Sequence, residues 1–518
     1  MTEGRGHWLD RIERVGNALP DPTTLFLLGT LAVIGLSQAA ATFGWTVEKT
    51  VAAADAGTAL LETVPVHAVG LLTSEGIYWL LATMVRNFVE FPPLGVVLVG
   101  MLGIGLAEKT GFIGALLKGV LLSVPPALLT PTLFFVGVMS SMGIDAGYVV
   151  LPPVAAALYA AVGRSPLVGL AAVFAGVSAG FSANLFVTSL DPLLAGLSTE
   201  SAHLVDPDYR VAATANLHFM MASTVLLTGV GWAVTAVWVE PRFAGKPPEE
   251  GGPVPASSAA LGSERLTDQE RRALVLACAG AALTAGAFAA AAWIPGAPLH
   301  GLDGRFPRWV VVIVPLIFIT FLVPGLVYGI ATGTLRSDKD AARLMSEAMA
   351  GMGGYLVLAF FAAQFIACFQ HSNLGEMLAI TGGEILARAQ LPHVVLMLAF
   401  IAVVMVGNVF IGSMSAKYAF FAPVFVPMFM QVGVSPELTQ VAYRVGDSVT
   451  NVVTPLNPYV VILLVFMQRY VPRSGIGTLV ALMLPYALAF TVAWTLLLVG
   501  WMWLGIDLGP GGPLRYEG

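Results

Sequence analysis

Two stretches of this chain carry polar and charged residues where their surroundings are almost wholly apolar. In AYRVGDSVTNVVTPLNPY, residues 442–459, Arg444 and Asp447 stand three apart, so on a helix they share a face and can pair. The pairing reads as a structural ion pair or as chemistry. The planar fork of Arg444 fits a substrate carboxylate, and Asp447 beside it can carry a proton or a sodium ion. In GFSANLFVTSLDPLLAG, residues 180–196, Ser182, Asn184, Thr188, Ser189 and Asp191 run into Pro192. A carboxylate at membrane depth costs about 2.5–3.5 kcal/mol on insertion scales, so Asp191 calls for a function or a partner unless it caps a helix near the surface.

The membrane itself follows from composition. Hydrophobic residues make up 57% of 518 and charged residues 11%, and the mean hydropathy is +0.83. Several segments exceed the roughly 20 apolar residues that cross a bilayer as a helix, and no alternating pattern suggests a barrel. The expected fold class is an all-α polytopic membrane protein. The net charge of −6 is dispersed among loops and implies no nucleic-acid partner. Cys278 and Cys368 read as small core hydrophobes rather than a disulfide, and the histidines are scattered, so neither zinc nor haem is expected.

Apolar length predicts about nine transmembrane helices, near 24–43, 92–107, 166–190, 211–239, 272–294, 309–333, 351–370, 437–460 and 475–504. Residues 112–127, interrupted by Pro125 and Pro126, read as a helix along the interface. Residues 128–160 and 393–432 each have prolines and polar residues at their middle and read as re-entrant hairpins, which need protein or a wet cavity over their backbone. Residues 1–23 read as a cytoplasmic segment leading into a retained span rather than a signal peptide. The Pro, Gly and Ser-rich stretch 240–270 reads as a solvated, mobile cytoplasmic linker between two membrane halves, 24–239 and 271–505, with a tail at 506–518. Thr267 and Glu270 have capping-box spacing at the linker's end.

The two halves share a pattern. Aligning residue 137 with 407 without a gap gives G-x10-Y-x4-P-V-x7-V-G-x-S-P, with Gly137, Tyr148, Pro153, Gly163, Ser165 and Pro166 answered by Gly407, Tyr418, Pro423, Gly433, Ser435 and Pro436. TSLDP at 188–192 answers TPLNP at 454–458 after a shift of four residues. Five expected crossings separate the hairpins, an odd number, so the hairpins are expected to be oppositely oriented in an inverted repeat. A cytoplasmic N-terminus then puts most loop Lys and Arg inside.

Inverted halves with Pro-broken helices are the architecture of secondary transporters, with the site at mid-membrane where broken helices expose carbonyls and N–H groups. The expected substrate-binding residues are Asn408, Ser415, Tyr418, Arg444 and Asn457. The expected ion-coupling residues are Asp191, Asp447, Asn184 and Asn451. No metal is confidently expected, a sodium ion near Asn184, Asp191 and Asn451 being the open case. Tyr148 and Tyr418 either stack on an aromatic substrate or belt the hairpins. No paired-Asp, His-Glu or Gly-x-Ser-x-Gly motif supports an intramembrane enzyme, and broken helices suit alternating access better than a channel.

RIERVGNALPDP (11–22), GFSANLFVTSLDPLLAG, GSMSAKYAFFAPVFVPMF (412–429) and RVGDSVTNVVTPLNPY (444–459) resemble the p-aminobenzoyl-glutamate transporter (AbgT) family, from residue 11 to about 505. The resemblance implies a homodimer of nine-helix subunits with two hairpins in the bacterial inner membrane, related to elevator-type dicarboxylate and citrate carriers. It implies import of p-aminobenzoyl-glutamate or export of sulfonamide antimetabolites, driven by protons or by sodium. It carries functional roles to Asp191, Asn408, Ser415, Arg444 and Asp447. The family commonly has Trp where this chain has Tyr418, which keeps an aromatic face and alters substrate preference. The alternative reading is a sodium-coupled dicarboxylate carrier of the related superfamily.

Overall fold

A computed structural model of the chain describes residues 22–52, 61–143, 146–256, 266–303, 306–408, 413–454, 457 and 459–517. The first 21 residues, Asp145 of the first hairpin tip, residues 257–265 of the linker, 409–412 of the second tip, and Pro455, Leu456 and Pro458 of TPLNP lie outside them. So does most of the segment read as cytoplasmic, 1–23.

The described chain is helical apart from two short antiparallel hairpins, β1 (Thr46–Ala52) with β2 (Leu61–His67) and β3 (Leu302–Asp303) with β4 (Phe306–Pro307). Among the described residues seven helices are long and apolar enough to cross a membrane: Thr23–Thr42, Ser74–Lys109, Leu217–Ala244, Asp268–Trp293, Ile313–Thr332, Gly353–His371 and Gly477–Leu504. The expectation was about nine. The two that drop out are 166–190 and 437–460, because each is a helix, a break and a second helix. The first runs as α7 (Pro166–Ala179) and α8 (Leu190–Ala202), the second as α17 (Pro436–Thr450) and α18 (Tyr459–Tyr470). Apolar length averaged over a window counts straight through such a break, although Ser182, Asn184 and Thr188 in the first and Asn451, Thr454 and Asn457 in the second mark it.

The rest of the chain frames these elements. Helices α1 (Pro22–Thr42), α2 (Ser74–Val89) and α3 (Pro92–Lys109) open it. Helix α2 was missed because Glu75, Arg86 and Asn87 interrupt its hydropathy. Helix α4 (Phe112–Leu122), read as interfacial, turns through 118° at Pro125–Pro126 into α5 (Leu129–Met139), and the segment read as the first hairpin runs as α5 and α6 (Ala146–Ala161). Then come α9 (Leu217–Val234), α10 (Asp268–Trp293), α11 (Ile313–Thr332), α12 (Asp338–Ala350), α13 (Gly353–His371) and α14 (Leu374–Ala389). The segment read as the second hairpin runs as α15 (His393–Gly407) and α16 (Met414–Met430), and α19 (Ile476–Leu504) closes the bundle.

The shared V-G-x-S-P motif builds the same corner twice. Gly163 and Gly433 take positive φ values of 76° and 81°. In each corner the next amide reaches back five residues, Arg164 N to Tyr159 O and Val434 N to Phe429 O, and the glycine amide reaches back three. This is a Schellman end, and only glycine adopts its left-handed turn without strain. Ser165 and Ser435 then cap the next helix by accepting from Val168 N and Leu438 N, with proline at its first position, where no amide is missed. The alignment also pairs Gly176 with Gly446, and both sit where helices touch backbone to backbone: a Cβ on Gly176 would meet Phe134 O, and one on Gly446 would meet Ile401 O.

The first part of the linker is held rather than mobile. Arg164 grips Glu240 with two nitrogens at 2.7 Å each, lies over the Tyr159 ring, and Ser165 Oγ donates to Gly251 O at 2.5 Å. The predicted capping box at Thr267 and Glu270 forms, and starts α10. Cys368 is buried, but Cys278 is exposed on α10 and is not a core residue.

Candidate functional site

Helices α7 and α17 are enclosed along their length; every residue of α7 and all but the last of α17 are buried. For α7 this is expected of an apolar segment. For α17 it is not, because its buried residues include Glu437, Thr439, Gln440, Arg444, Asp447 and Ser448. A polar helix buried on every side must find its partners in protein.

The partners come from across the molecule. The half-helices are exchanged: α8 of the first copy packs on α16 and α17 of the second, and α18 of the second packs on α6 and α7 of the first. Asp191, in the first turn of α8, thereby meets Arg444 of α17, with Nη2 to Oδ1 at 2.5 Å. Its other oxygen accepts from the Thr188 amide at 2.6 Å and the Thr188 hydroxyl at 2.9 Å. A carboxylate there also faces the positive end of α8. Pro192 is the third residue of that first turn, where its missing amide costs no intrahelical bond. The break and the carboxylate are thus one device.

Arg444 does not pair with Asp447, as their spacing had suggested. Asp447 is held by Lys417 of α16, Nζ to Oδ1 at 2.5 Å, and Lys417 also donates to Asn408 Oδ1. The residue missed from sequence is therefore Lys417, which is wholly buried. A signal for it was present: the ungapped alignment places Gly147, Phe174 and Val177 opposite Lys417, Arg444 and Asp447. Asking where matched copies differ in charge finds all three.

Around this second pair lies a set of amides and hydroxyls. Asn408, at the end of α15, donates from Nδ2 to Asp447 O, Thr450 Oγ1 and Asn451 Oδ1 at 2.8, 2.7 and 2.9 Å. Asn451 donates to Asp447 Oδ2 at 3.3 Å, and Tyr443 OH reaches Met414 O at 2.6 Å. Asn457, in the second break, donates to Asn451 O at 3.0 Å and to Ser178 Oγ of α7 at 3.4 Å. Asn408, Asn451, Asn457 and Asp447 are thus one network.

Asn184 belongs elsewhere. It donates to Ser141 Oγ of the first hairpin at 2.9 Å and, with Asp191, Thr188, Phe181 and Arg444, lines a recess of about 10 Å³, room for about one water. Arg444 Nε has no hydrogen-bond partner among the described residues. The three residues named for a sodium ion therefore do not converge: Asn184 and Asp191 share the recess, and Asn451 joins the Lys417 network.

Two expected substrate contacts are placed differently from each other. Ser415 is half-buried, its hydroxyl 3.3 Å from Ser413 Oγ. Tyr418 is fully enclosed, its ring tilted on Tyr443 at 4.5 Å and its hydroxyl 2.6 Å from Ser198 of α8. With no face exposed, Tyr418 cannot stack on a substrate in this conformation. Its repeat partner Tyr148 stacks on Tyr459 of α18 at 4.1 Å. Each tyrosine ties its hairpin to the exchanged half-helix of the other copy.

A many-helix membrane protein with two broken helices exchanged at its centre, and with four buried charges paired there, has the build of a transporter. The chain belongs to the AbgT putative transporter family, whose model matches residues 7–516. It is 35% identical over 514 residues to the p-aminobenzoyl-glutamate transport protein of Escherichia coli (strain K12), covering 96% of this chain and 95% of that one. Its fold is similar to that of the YdaH transporter of Alcanivorax borkumensis, with a TM-score of 0.86 at 41% identity over 95% of this chain and all of that one. It is also similar to MtrF of Neisseria gonorrhoeae, described with a class of antimetabolite efflux pumps, with a TM-score of 0.89 at 38% identity over 98% of this chain and all of that one.

Proposed function

We propose that this chain is a secondary active transporter of p-aminobenzoyl-glutamate-like aromatic anions, working by alternating access in the bacterial inner membrane as a homodimer with a cytoplasmic N-terminus. The observation that carries the reading is the contact between Asp191 and Arg444, both buried, which joins a broken helix of each half. The two copies are read as inverted repeats with re-entrant hairpins α5–α6 and α15–α16, as in carriers of this architecture.

The contact supplies a coupling rule. A substrate carboxylate and the Asp191 carboxylate are chemically alike and compete for one guanidinium. Ionised, Asp191 holds Arg444. Protonated, it loses most of its attraction, and Arg444, whose Nε has no partner among the described residues, turns to the substrate. Anion and proton then bind together and move together. The small recess admits no such ligand in this conformation, so binding follows an opening of the site, and Asn408, Ser415 and Asn457 at the helix ends are the polar groups positioned to meet it.

The likeness to MtrF favours export of antimetabolites as a second reading, with sulfonamides as the test compounds. Flux in proteoliposomes distinguishes the readings. Labelled p-aminobenzoyl-glutamate accumulates against its gradient under an imposed pH difference in the first, and sulfonamide exchanges against protons in the second. Flux of both compounds that ignores pH and sodium gradients alike defeats the coupled transporter, and competition by succinate would move the assignment to dicarboxylates.

A further inference from the structure

We infer that Lys417 is a resident cation: its ammonium occupies, in the oxygen cluster of Asn408, Asp447, Asn451 and Thr450, the place of a sodium ion, so that this sub-site takes no free cation and the ionic coupling falls to Asp191 and Arg444. The inference deepens the transport reading and rests on it for its consequence.

The donor set is that of a hard cation. Asp447 Oδ1 and Asn408 Oδ1 face the ammonium, and behind them Asn451 Oδ1 and Thr450 Oγ1 accept from Asn408 Nδ2 and Asp447 Oδ2 from Asn451 Nδ2, a set of carboxylate, amide and hydroxyl oxygens. Such oxygens suit alkali and alkaline-earth ions rather than transition metals, and no group of His, Cys, Asp and Glu among the described residues could hold one of the latter. Three acceptors lie within 2.9 Å of the single Asn408 Nδ2, which has only two hydrogens. The cluster is therefore rich in oxygen relative to its neutral donors, and the positive charge that balances it is the Lys417 ammonium, which donates to Asn408 Oδ1 and Asp447 Oδ1.

A merely structural ion pair explains less. Buried pairs are weak stabilisers compared with well-packed apolar side chains, and the protein contains its own comparison. At the matched positions of the first copy stand Val138 for Asn408, Gly147 for Lys417 and Val177 for Asp447. The arms and the close glycine contact form there with no charge at these three positions. The fold does not require the lysine, and cation, carboxylate and amide occur together in one copy and are absent together from the other.

The test is thermal unfolding of the full chain in detergent, in sodium chloride against choline chloride at constant ionic strength. In choline, Lys417→Gln melts lower than wild type, because Asp447 is left without its counter-charge. Raising sodium should lift its Tm by roughly 2 °C or more, as a ligand bound to the native state does, while wild type and the double variant Lys417→Gln/Asp447→Asn do not gain this shift. A sodium-indifferent Lys417→Gln overturns the inference, as does an equal shift in wild type. So does a variant that fails to fold even when expressed and purified in sodium, since sodium should take the vacated place. The assay contains no substrate, so its failure leaves the transport reading standing, and absent flux in proteoliposomes would not alter a sodium-dependent melt.

Discussion

Replacing Asp191 by Asn tests the coupling rule directly. The substitution keeps size and leaves an oxygen for the Thr188 amide, 2.6 Å away in the native protein, but turns a neutral amide toward Arg444 Nη2, which the native carboxylate meets at 2.5 Å. A hydrogen bond to a charged group contributes about 1.5–3 kcal/mol net. That is the free energy a substrate carboxylate must overcome to win Arg444 from ionised Asp191. At 1.4 kcal/mol per decade it corresponds to about 10- to 150-fold in affinity. The sign follows from the competition: the Asn variant has no carboxylate to hold Arg444, so the guanidinium is free for the anion. Binding of p-aminobenzoyl-glutamate to purified protein, by calorimetry at one fixed pH, should be tighter in Asp191→Asn than in wild type by a factor in that range. Uphill accumulation driven by a pH gradient should disappear, since the variant has no proton to carry there. Arg444→Gln should abolish binding in both backgrounds. An Asp191→Asn protein that binds the anion no more tightly than wild type would refute the competition.

Three further outcomes follow from the contacts. In sodium-free buffer, Asp447→Asn and Lys417→Gln each leave a buried charge unpaired and should each cost about 3–5 kcal/mol, the double variant costing less than their sum, as a double-mutant cycle on thermal unfolding reads. Tyr418→Phe removes the hydroxyl that meets Ser198 and should lower the melting temperature by an amount worth about 1–2 kcal/mol while leaving substrate affinity unchanged; a change in affinity would return Tyr418 to the binding site. Arg164→Ala releases Glu240 and uncovers the Tyr159 ring, so residues 240–256 should become readily cleaved in limited proteolysis with flux retained.

What was legible in the sequence was what local rules decide. Apolar length marked the seven unbroken crossings, and V-G-x-S-P marked the two corners because a left-handed glycine, a serine cap and a first-turn proline act within a few residues of chain. Asp191, Arg444 and Asp447 stood out because charge is costly in an apolar setting wherever the chain later goes. Their partners did not. A three-residue spacing allowed Arg444 to meet Asp447, but whether it does depends on what else reaches that helix face, and α8 brings Asp191 while α16 brings Lys417. Tyr418 looked like a ligand's aromatic neighbour and is instead a tie between halves, because exposure is a property of the packed molecule. The sequence by itself determined that charges must be buried in this protein and near which breaks; only the tertiary structure decided which charge neutralises which, since the exchange of half-helices brings Asp191 to Arg444 across 253 positions and the packing of α16 on α17 brings Lys417 to Asp447 across 30, contacts set by packing and not by spacing.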